Sequence, residues 1–427
     1  MPNRYNTLQI CCIGVNHSTS PVAIREKLAI SQSQLGEGLA VLRQHVECGV
    51  ILSTCNRTEV YATADKDAQS LEESLVNFLN EFTGVSFVDL LPYIYLKKNV
   101  SACGHLFMVA SGLDSMIIGE YEVLGQINAS LEAAENAGMV NLPLRNLFQQ
   151  SLSTGRRVRE ETMISQSAVS VSSVAVELAK EVLGDLTGKA VAVIGAGEAG
   201  RLVAKAARDR GASRLIIYNR SREKAKLLAD SLGADWIVDD ITEALVETDV
   251  AVSCTSAPHL VISCEQVRQA AEIRQGRPLV LIDIAVPRDI DPQIKTIENI
   301  ALYNIDDLND ICNLNRNKRQ SESLKAMNII GVEAEKFVEW WGALEIKPIV
   351  SALIQKAEDI RRKQLEMTLK KLPPLSEKQQ QSLEAMTKAI VTKVLHDPID
   401  YLKDDAQNKK EYSRMVSEIF RLDKEKV

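Results

Sequence analysis

Short apolar runs and longer helical periodicities divide the chain into three stretches, with changes near residues 160 and 310. Up to about 160, strands and helices mix. Residues 8–17, LQICCIGVNH, read as a strand, and residues 31–46, SQSQLGEGLAVLRQHV, open on a Ser31 to Gln34 capping box and continue as a helix. CGVILS at 48–53 and TEVYATA at 58–64 read as paired strands, with TCNR at 54–57 as their connector. Residues 101–138 carry two helical patterns separated by the region from Gly112 to Gly119, a joint of the kind that commonly lines a site. From about 165 the pattern becomes strand and helix in alternation: KAVAVIG, AGRLVAKAARDRG, RLIIYN, SREKAKLLADSLG, VAVSCT, PLVLID. That alternation predicts a doubly wound parallel sheet.

After IALYNIDDL at 300–308 the pattern is helical to the end. Met327, Ile330, Ala334, Phe337, Trp341 and Leu344 recur three and four apart, an apolar seam that a lone helix leaves uncovered. Pro348 is expected to interrupt or kink this helix, KKLPPLSEK to break the next, and Ser376 with Gln379 to cap a last one carrying Leu383, Met386, Ile390 and Val394. A helical dimerisation domain is the natural reading; an intrachain bundle is the alternative. The fold class is therefore α/β multidomain, with an α+β N-terminal domain, a Rossmann-type domain, and an all-α C-terminal domain reached by a long helix.

Composition narrows the partners. With 45% hydrophobic and 25% charged residues over 427 positions, the chain has the profile of a soluble globular protein. No apolar run approaches the ~20 residues of a membrane helix, and the first ten residues lack a signal-peptide pattern, so a cytoplasmic location without membrane attachment is expected. The eight cysteines lack metal-ligand spacing, which suggests neither a disulfide framework nor a zinc site. A net charge of −7 argues against blanket affinity for nucleic acid, though not against a local basic stripe that holds one particular RNA.

Two places carry chemistry. Gly195, Ala196, Gly197, Glu198, Ala199 and Gly200 follow an apolar strand and open a helix, the context that turns a weak glycine motif into a dinucleotide fingerprint. The next strand ends at Asn219, followed by Arg220 and Ser221, where NAD enzymes usually place a carboxylate for the ribose. An amide, a guanidinium and a hydroxyl suit a 2′-phosphate, so NADPH is the expected cofactor. The second place is Cys55. Thiol attack on an acyl group gives a thioester electrophilic enough to accept hydride. A polar loop with Arg57 two residues on is expected to favour the thiolate.

The segments GVNHSTSPVAIREKLAI, LSTCNRTEVYA, HLFMVASGLDSMIIGE, GQI, AVSVSSVAVELAK, GAGEAG, NRS, DIAVPRDIDP and LYNIDDL, in this order and over essentially the whole chain, resemble the glutamyl-tRNA reductase family. The resemblance implies NADPH-dependent reduction of glutamate esterified to tRNA, giving glutamate-1-semialdehyde and free tRNA, the opening of the C5 route to tetrapyrroles. It also implies a catalytic domain over 1–160, an NADP domain over 161–310 and a linker helix with dimerisation domain over 311–427. Carried over residue by residue, it makes Cys55 the nucleophile and His105 a second catalytic residue that tunes the thiol or shuttles a proton. Thr54, Asn56, Arg57, Ser115, Glu120, Tyr121, Glu122 and Gln126 become substrate-pocket positions, Arg57 being apt to grip the side-chain carboxylate; for the oxyanion, backbone N–H groups around Asn56 with its own amide are the expected donors. Glu122 departs from the family's usual glutamine, which places an extra carboxylate beside an anionic substrate. His17 and Ser18 are read as structural.

The implied partners are glutamyl-tRNA(Glu), a second copy through the C-terminal helices, and the aminomutase that consumes the aldehyde. Arg156, Arg157 and Arg159, Arg316, Lys318 and Arg319, and Arg361, Arg362 and Lys363 are candidate phosphate contacts. Two competing classes are a dehydrogenase acting on a free carbonyl, with a structural Cys55, and a non-catalytic relative that binds tRNA or the aminomutase.

Overall fold

The computed structural model describes residues 9–64, 68–165, 170–237, 240–308, 320–404 and 409–422. Gln9–Glu333 form one compact unit, and the chain from Ala334 onward belongs to another.

The first unit begins with an antiparallel sheet in the order β2-β3-β1-β4, built from β1 (Gln9–Asn16), β2 (Cys48–Ser53), β3 (Arg57–Ala64) and β4 (Tyr95–Lys98). Its central strands are buried along nearly their whole length, because helices pack on the sheet. Helix α1 (Val22–Leu28) follows β1, and α2 (Leu35–His45) precedes β2. The Ser31 to Gln34 box forms only in part: the Gln34 side chain accepts from the Ser31 amide, while α2 itself starts one residue later without a side-chain cap. Strands β2 and β3 pair through Ser53 opposite Thr58, and the Thr54 amide donates to the Arg57 carbonyl at 2.8 Å. TCNR is thus a tight hairpin connector. The helices α3 (Ala68–Thr83), α4 (Phe87–Leu90), α5 (Val100–Ala110), α6 (Glu122–Asn136) and α7 (Leu142–Glu161) complete this half.

After α8 (Val171–Leu183), six parallel strands run in the order β10-β9-β8-β5-β6-β7: β5 (Ala190–Ile194), β6 (Arg214–Tyr218), β7 (Asp235–Ile237), β8 (Val250–Ser253), β9 (Leu279–Asp283) and β10 (Ile300–Asn304). Read from β7, the order is 3-2-1-4-5-6, that of a doubly wound dinucleotide fold. Helices α9 (Glu198–Asp209), α10 (Arg222–Leu232), α11 (Ile241–Glu247) and α12 (Cys264–Arg274) cross over between strands. The inner strands β5, β8 and β9 are buried runs made mostly of Val, Ile, Leu and Ala, as expected when both faces are covered.

Helix α13 (Gln320–Leu369) runs 50 residues without a break, so Pro348 does not interrupt it. A proline removes one backbone donor, a loss that the many remaining hydrogen bonds of so long a helix absorb. α14 (Glu377–Asp404) starts on the expected cap, with the Gln379 amide donating to Ser376 Oγ at 3.4 Å and the Ser376 amide to Gln379 at 2.9 Å. α15 (Lys409–Ile419) closes the chain. Met386, Ile390 and Val394 lie one helical turn apart on α14 and are exposed. No helix among the described residues is long and apolar enough to cross a membrane.

Candidate active site

The hairpin turn lifts Cys55 out of the sheet as a half-buried residue. Thr54 shapes the turn: its Oγ1 accepts from the Asn56 amide at 3.1 Å, so that backbone N–H is already engaged. Asn56 is buried, its carbonyl accepts from the His17 amide, and its side-chain Oδ1 has no hydrogen-bond partner among the described residues.

Immediately after the turn the strand's period of two places Arg57, Glu59 and Tyr61 on one face. Glu59 has no exposed surface, and four donors converge on it: Arg57 Nη1 at 2.6 Å, Tyr95 Oη at 2.5 Å and His105 Nε2 at 2.9 Å on Oε1, and Tyr61 Oη at 2.7 Å on Oε2. Burial pushes this carboxyl up, but the Arg57 guanidinium, His105 and the hydrogen bonds outweigh it and hold Glu59 well below the ordinary range. An ionised carboxylate only accepts, so His105 Nε2 carries the proton. His105 is buried with its ring edge-on to Tyr95, and among the described residues no hydrogen bond joins it to Cys55. Cys12, Glu59 and His105 bring ligand-type atoms within 4.8 Å of one another, but Glu59 is filled by the protein's own donors.

Arg57 is spent similarly. Besides Glu59 it donates to Asp114 Oδ2 at 2.9 Å and to the Asp114 carbonyl, and Asn16 Nδ2 reinforces Asp114 at 3.2 Å. These contacts overturn the expected electropositive setting of Cys55. The sequence neighbour Arg57 is neutralised by two carboxylates, while burial, Glu120 and Glu122 push the thiol up to about 12, offset in part by Arg25. The thiol is therefore protonated in this arrangement.

The expected pocket segment lies on the Gly112 to Gly119 joint. Gly119 has φ +86°, and a Cβ there would meet the Ile164 carbonyl oxygen at 2.3 Å, so only glycine fits this close approach. Ser115 is buried and bonds Glu120, whose acid is raised chiefly by burial and then by Glu122. Arg159, expected on phosphate, is buried instead: it donates to the carbonyls of Ala110, Gly155 and Glu120, and its guanidinium lies over the exposed ring of Tyr121 at 5.4 Å. Glu122 and Gln126 lie in the first five residues of α6. Glu122 has no cation partner among the described residues; partial burial and the Glu198 carboxylate raise its acid. Arg361 is likewise buried, on Glu358 at 2.6 Å, which removes it as a phosphate contact. Arg157 and Arg362 are held by glutamates, whereas Arg156 and Lys363 are exposed. Arg316, Lys318 and Arg319 lie outside the described residues.

At the dinucleotide fingerprint each glycine has a distinct surrounding. Gly195 takes φ +115°, a Cβ on Gly200 would sit 2.0 Å from the Gly195 carbonyl oxygen, and a Cβ on Gly197 would meet nothing within 4 Å. The open side is the one a pyrophosphate needs, over the start of α9 where Glu198 and Ala199 begin the helix. Asn219 is a brace: its Oδ1 accepts from the Ala196 amide and its Nδ2 donates to the Ser221 carbonyl, while Ser221 Oγ caps α10 through Lys224. Arg220 is exposed and without an ion pair among the described residues, which leaves its guanidinium available to an anion.

The loops after β8 and β9 are tied together by Asp289, which accepts from Ser253 Oγ and from the Thr255 amide and hydroxyl, and by Asp283, which accepts from the Ala285 and Ile290 amides. Burial and the Asp289 charge push Asp283 up to about 7. A folded-state acid raised above its unfolded value contributes stability below the unfolded pKa, and that contribution is lost as pH rises through 7. Asp283→Asn does not titrate. The unfolding free energy of wild type relative to this variant is expected to grow by about 1 kcal/mol per pH unit from pH 7 to 5, read by urea titration.

Family models match the chain in three consecutive blocks: the glutamyl-tRNA(Glu) reductase N-terminal domain at 13–162, shikimate/quinate 5-dehydrogenase at 177–311, and the glutamyl-tRNA(Glu) reductase dimerisation domain at 325–422. A glutamyl-tRNA reductase of Desulfotalea psychrophila is 40% identical over 402 residues, covering 93% of each chain. The chain belongs to the glutamyl-tRNA reductase family. A relative of that name from Halalkalibacterium halodurans is 39% identical over 98% of this chain and 92% of its own. The solved glutamyl-tRNA reductase of Methanopyrus kandleri aligns with a TM-score of 0.51 at 32% identity, covering 97% of this chain and 99% of that one. Membership makes the chain an oxidoreductase with a nicotinamide-type dinucleotide domain between a reductase N-terminal domain and a dimerisation domain.

Glu59, Asp114, Tyr95 and Arg25 are absent from the residues assigned by sequence. For Glu59 a signal existed: Arg57, Glu59 and Tyr61 share one face of a strand whose other residues are apolar or small.

Proposed function

We propose that the chain reduces the glutamyl group of glutamyl-tRNA(Glu) to glutamate-1-semialdehyde with NADPH, through an acyl-cysteine at Cys55, as the opening step of the C5 route to tetrapyrroles. The observation that carries this reading is that Cys55 packs against the apolar cluster that includes one buried face of the dinucleotide sheet, so nucleophile and hydride-donor domain meet. The sulfur attacks the ester carbonyl, the bond to the tRNA ribose oxygen breaks, and the thiol proton passes to that oxygen. Glu120, whose charge is felt at the sulfur and whose acid is raised by burial, is suited to carry that proton. His105, fixed by Glu59, holds Arg57's partner in place rather than touching the thiol.

Among the described residues Arg57 donates three of its five N–H groups to Glu59 and Asp114, which leaves two for the substrate carboxylate. The acids Asp114, Glu120 and Glu122 suit the cationic amino group of the glutamyl ester, which gives the unusual Glu122 a favourable partner. A nicotinamide held at the fingerprint would supply the hydride for the thioester carbon, and the C–S bond would then break, with the Cys55 sulfur leaving as thiolate and the aldehyde released. Arg220 is the group suited to the 2′-phosphate. Arg220→Ala is expected to weaken NADPH binding about tenfold and leave NADH binding unchanged, read by fluorescence titration.

The protein is further read as a cytoplasmic homodimer built through the apolar faces of α13 and α14, with handover of the reactive aldehyde to an aminomutase. The test is a single turnover with glutamyl-tRNA labelled in the glutamyl group. Label on Cys55 without NADPH, and semialdehyde with it, support the reading; bound but intact glutamyl-tRNA in both arms overturns it.

A further inference from the structure

Helix α1 carries adjacent charges of opposite sign, and the dinucleotide domain answers both. Arg25 Nη2 reaches Asp306 Oδ1, just past β10, at 2.9 Å, and the Val22 amide at the start of α1 reaches Asp306 Oδ2 at 2.8 Å. One residue on, Glu26 accepts both arms of Arg288 from the loop after β9, Nε at 2.8 Å and Nη2 at 2.5 Å. Arg25 is 2% exposed and also donates to the Ser20 carbonyl, while Glu26 and Arg288 are only 20% and 23% exposed. The cation–anion order on α1 is met by anion and cation on the other side, so any one-residue slip would set like charges together. Beneath these pairs Val22, Met116 and Ile117 share one apolar cluster with Ile282, Ile284, Ile305 and Leu308, and Cys55 packs against that cluster.

We propose that the crossed pairs Arg25–Asp306 and Glu26–Arg288 are a latch that seats the dinucleotide domain on the Cys55 loop, sheltering the sulfur while closed and opening it to an incoming ester only on release. The inference rests on reading Cys55 as the acyl acceptor. It divides the two half-reactions between two positions of one domain: a bulky tRNA ester needs the released position to reach the sulfur, and hydride delivery to the resulting thioester needs the closed one. The charges reinforce the division. In the closed position Asp306 occupies the Arg25 guanidinium, a cation whose field lowers the Cys55 thiol, while burial, Glu120 and Glu122 raise it. Release takes Asp306 off Arg25, frees its charge to favour the thiolate, and lets water reach the sulfur.

The test measures exposure rather than turnover: the rate of Cys55 alkylation by iodoacetamide at fixed pH, resolved by site with mass spectrometry, with buried Cys12 and Cys103 as internal references. Glu26→Arg and Arg288→Glu each place like charges in the latch. Each is expected to speed alkylation of Cys55 about fivefold, the factor that about 1 kcal/mol gives at 1.4 kcal/mol per tenfold. The swap Glu26→Arg/Arg288→Glu restores opposite charges and is expected to return the rate to within about twofold of wild type. Arg288→Gln deletes one arm without repulsion and serves if a reversal fails to fold, with about a threefold rise. Wild-type rates in the single variants, or a swap as fast as the singles, overturn the latch. Because no tRNA is present, such a failure leaves the acyl-acceptor reading standing; that reading falls instead if Cys55→Ser still turns over glutamyl-tRNA.

Discussion

Cys55→Ser is expected to remove acyl transfer from glutamyl-tRNA and to lower semialdehyde formation by at least about 10³-fold, with cofactor binding and thermal stability close to wild type. The hydroxyl is nearly isosteric with the thiol, so the hairpin held by the Thr54 amide and by Thr58 opposite Ser53 should form unchanged. What is lost is nucleophilicity and leaving-group ability: a serine ester, if formed, is a poor hydride acceptor compared with a thioester. The measurement is single-turnover label transfer with and without NADPH, beside a cofactor titration. Turnover surviving in Cys55→Ser favours the competing dehydrogenase, in which the cysteine only packs. Because burial, and then the charges of Glu120 and Glu122, hold the thiol protonated, the rate of the wild-type first step is expected to depend on the substrate's arrival changing that environment.

The difference between what the sequence predicts at Cys55 and what surrounds it has a physical origin. Local patterns are legible because they report local geometry: strand alternation around TCNR, the glycine fingerprint after an apolar strand, the capping box at Ser376, and the alternation that gives the 3-2-1-4-5-6 sheet. Charge environment is not local. The groups that set the thiol come from Arg25, 30 residues before it, and from Glu120 and Glu122, more than 60 after it, whereas the adjacent Arg57 is cancelled by Glu59 and Asp114. The same holds for Arg159, which reads as one of three arginines on a solvated helix and is in fact inserted among the carbonyls of α5 and of the Gly119 joint. A cluster of arginines gives its charge but not its face until the neighbouring helix is placed. Pro348 fails to end its helix for the opposite reason, since a strong local rule is outweighed by 50 residues of cooperative helix.

Glu59→Gln is expected to lower the unfolding free energy at neutral pH by about 3 kcal/mol and kcat/KM by about a hundredfold, the largest effect of any change that leaves Cys55 and the cofactor site untouched. The carboxylate has no solvent exposure and accepts from four groups at once. Glutamine keeps the volume but supplies one acceptor oxygen and turns two hydrogens toward donors, so Arg57 loses its deepest counter-charge and His105 or a tyrosine loses its acceptor. With Arg57 pulled over to Asp114 alone, the pocket shifts, and the loss should enter KM as well as kcat, unlike that of Cys55→Ser. The pH dependence separates this from simple loss of packing. A folded-state pKa held below the unfolded value contributes stability above the unfolded pKa and loses it as pH falls through the folded one. The wild-type advantage over Glu59→Gln should therefore be full at pH 7, begin to shrink near pH 4.5 and decline further below it. Urea unfolding of both proteins at pH 7, 5 and 4 reads this directly; an advantage that is constant across the series would mean that Glu59 contributes shape rather than charge.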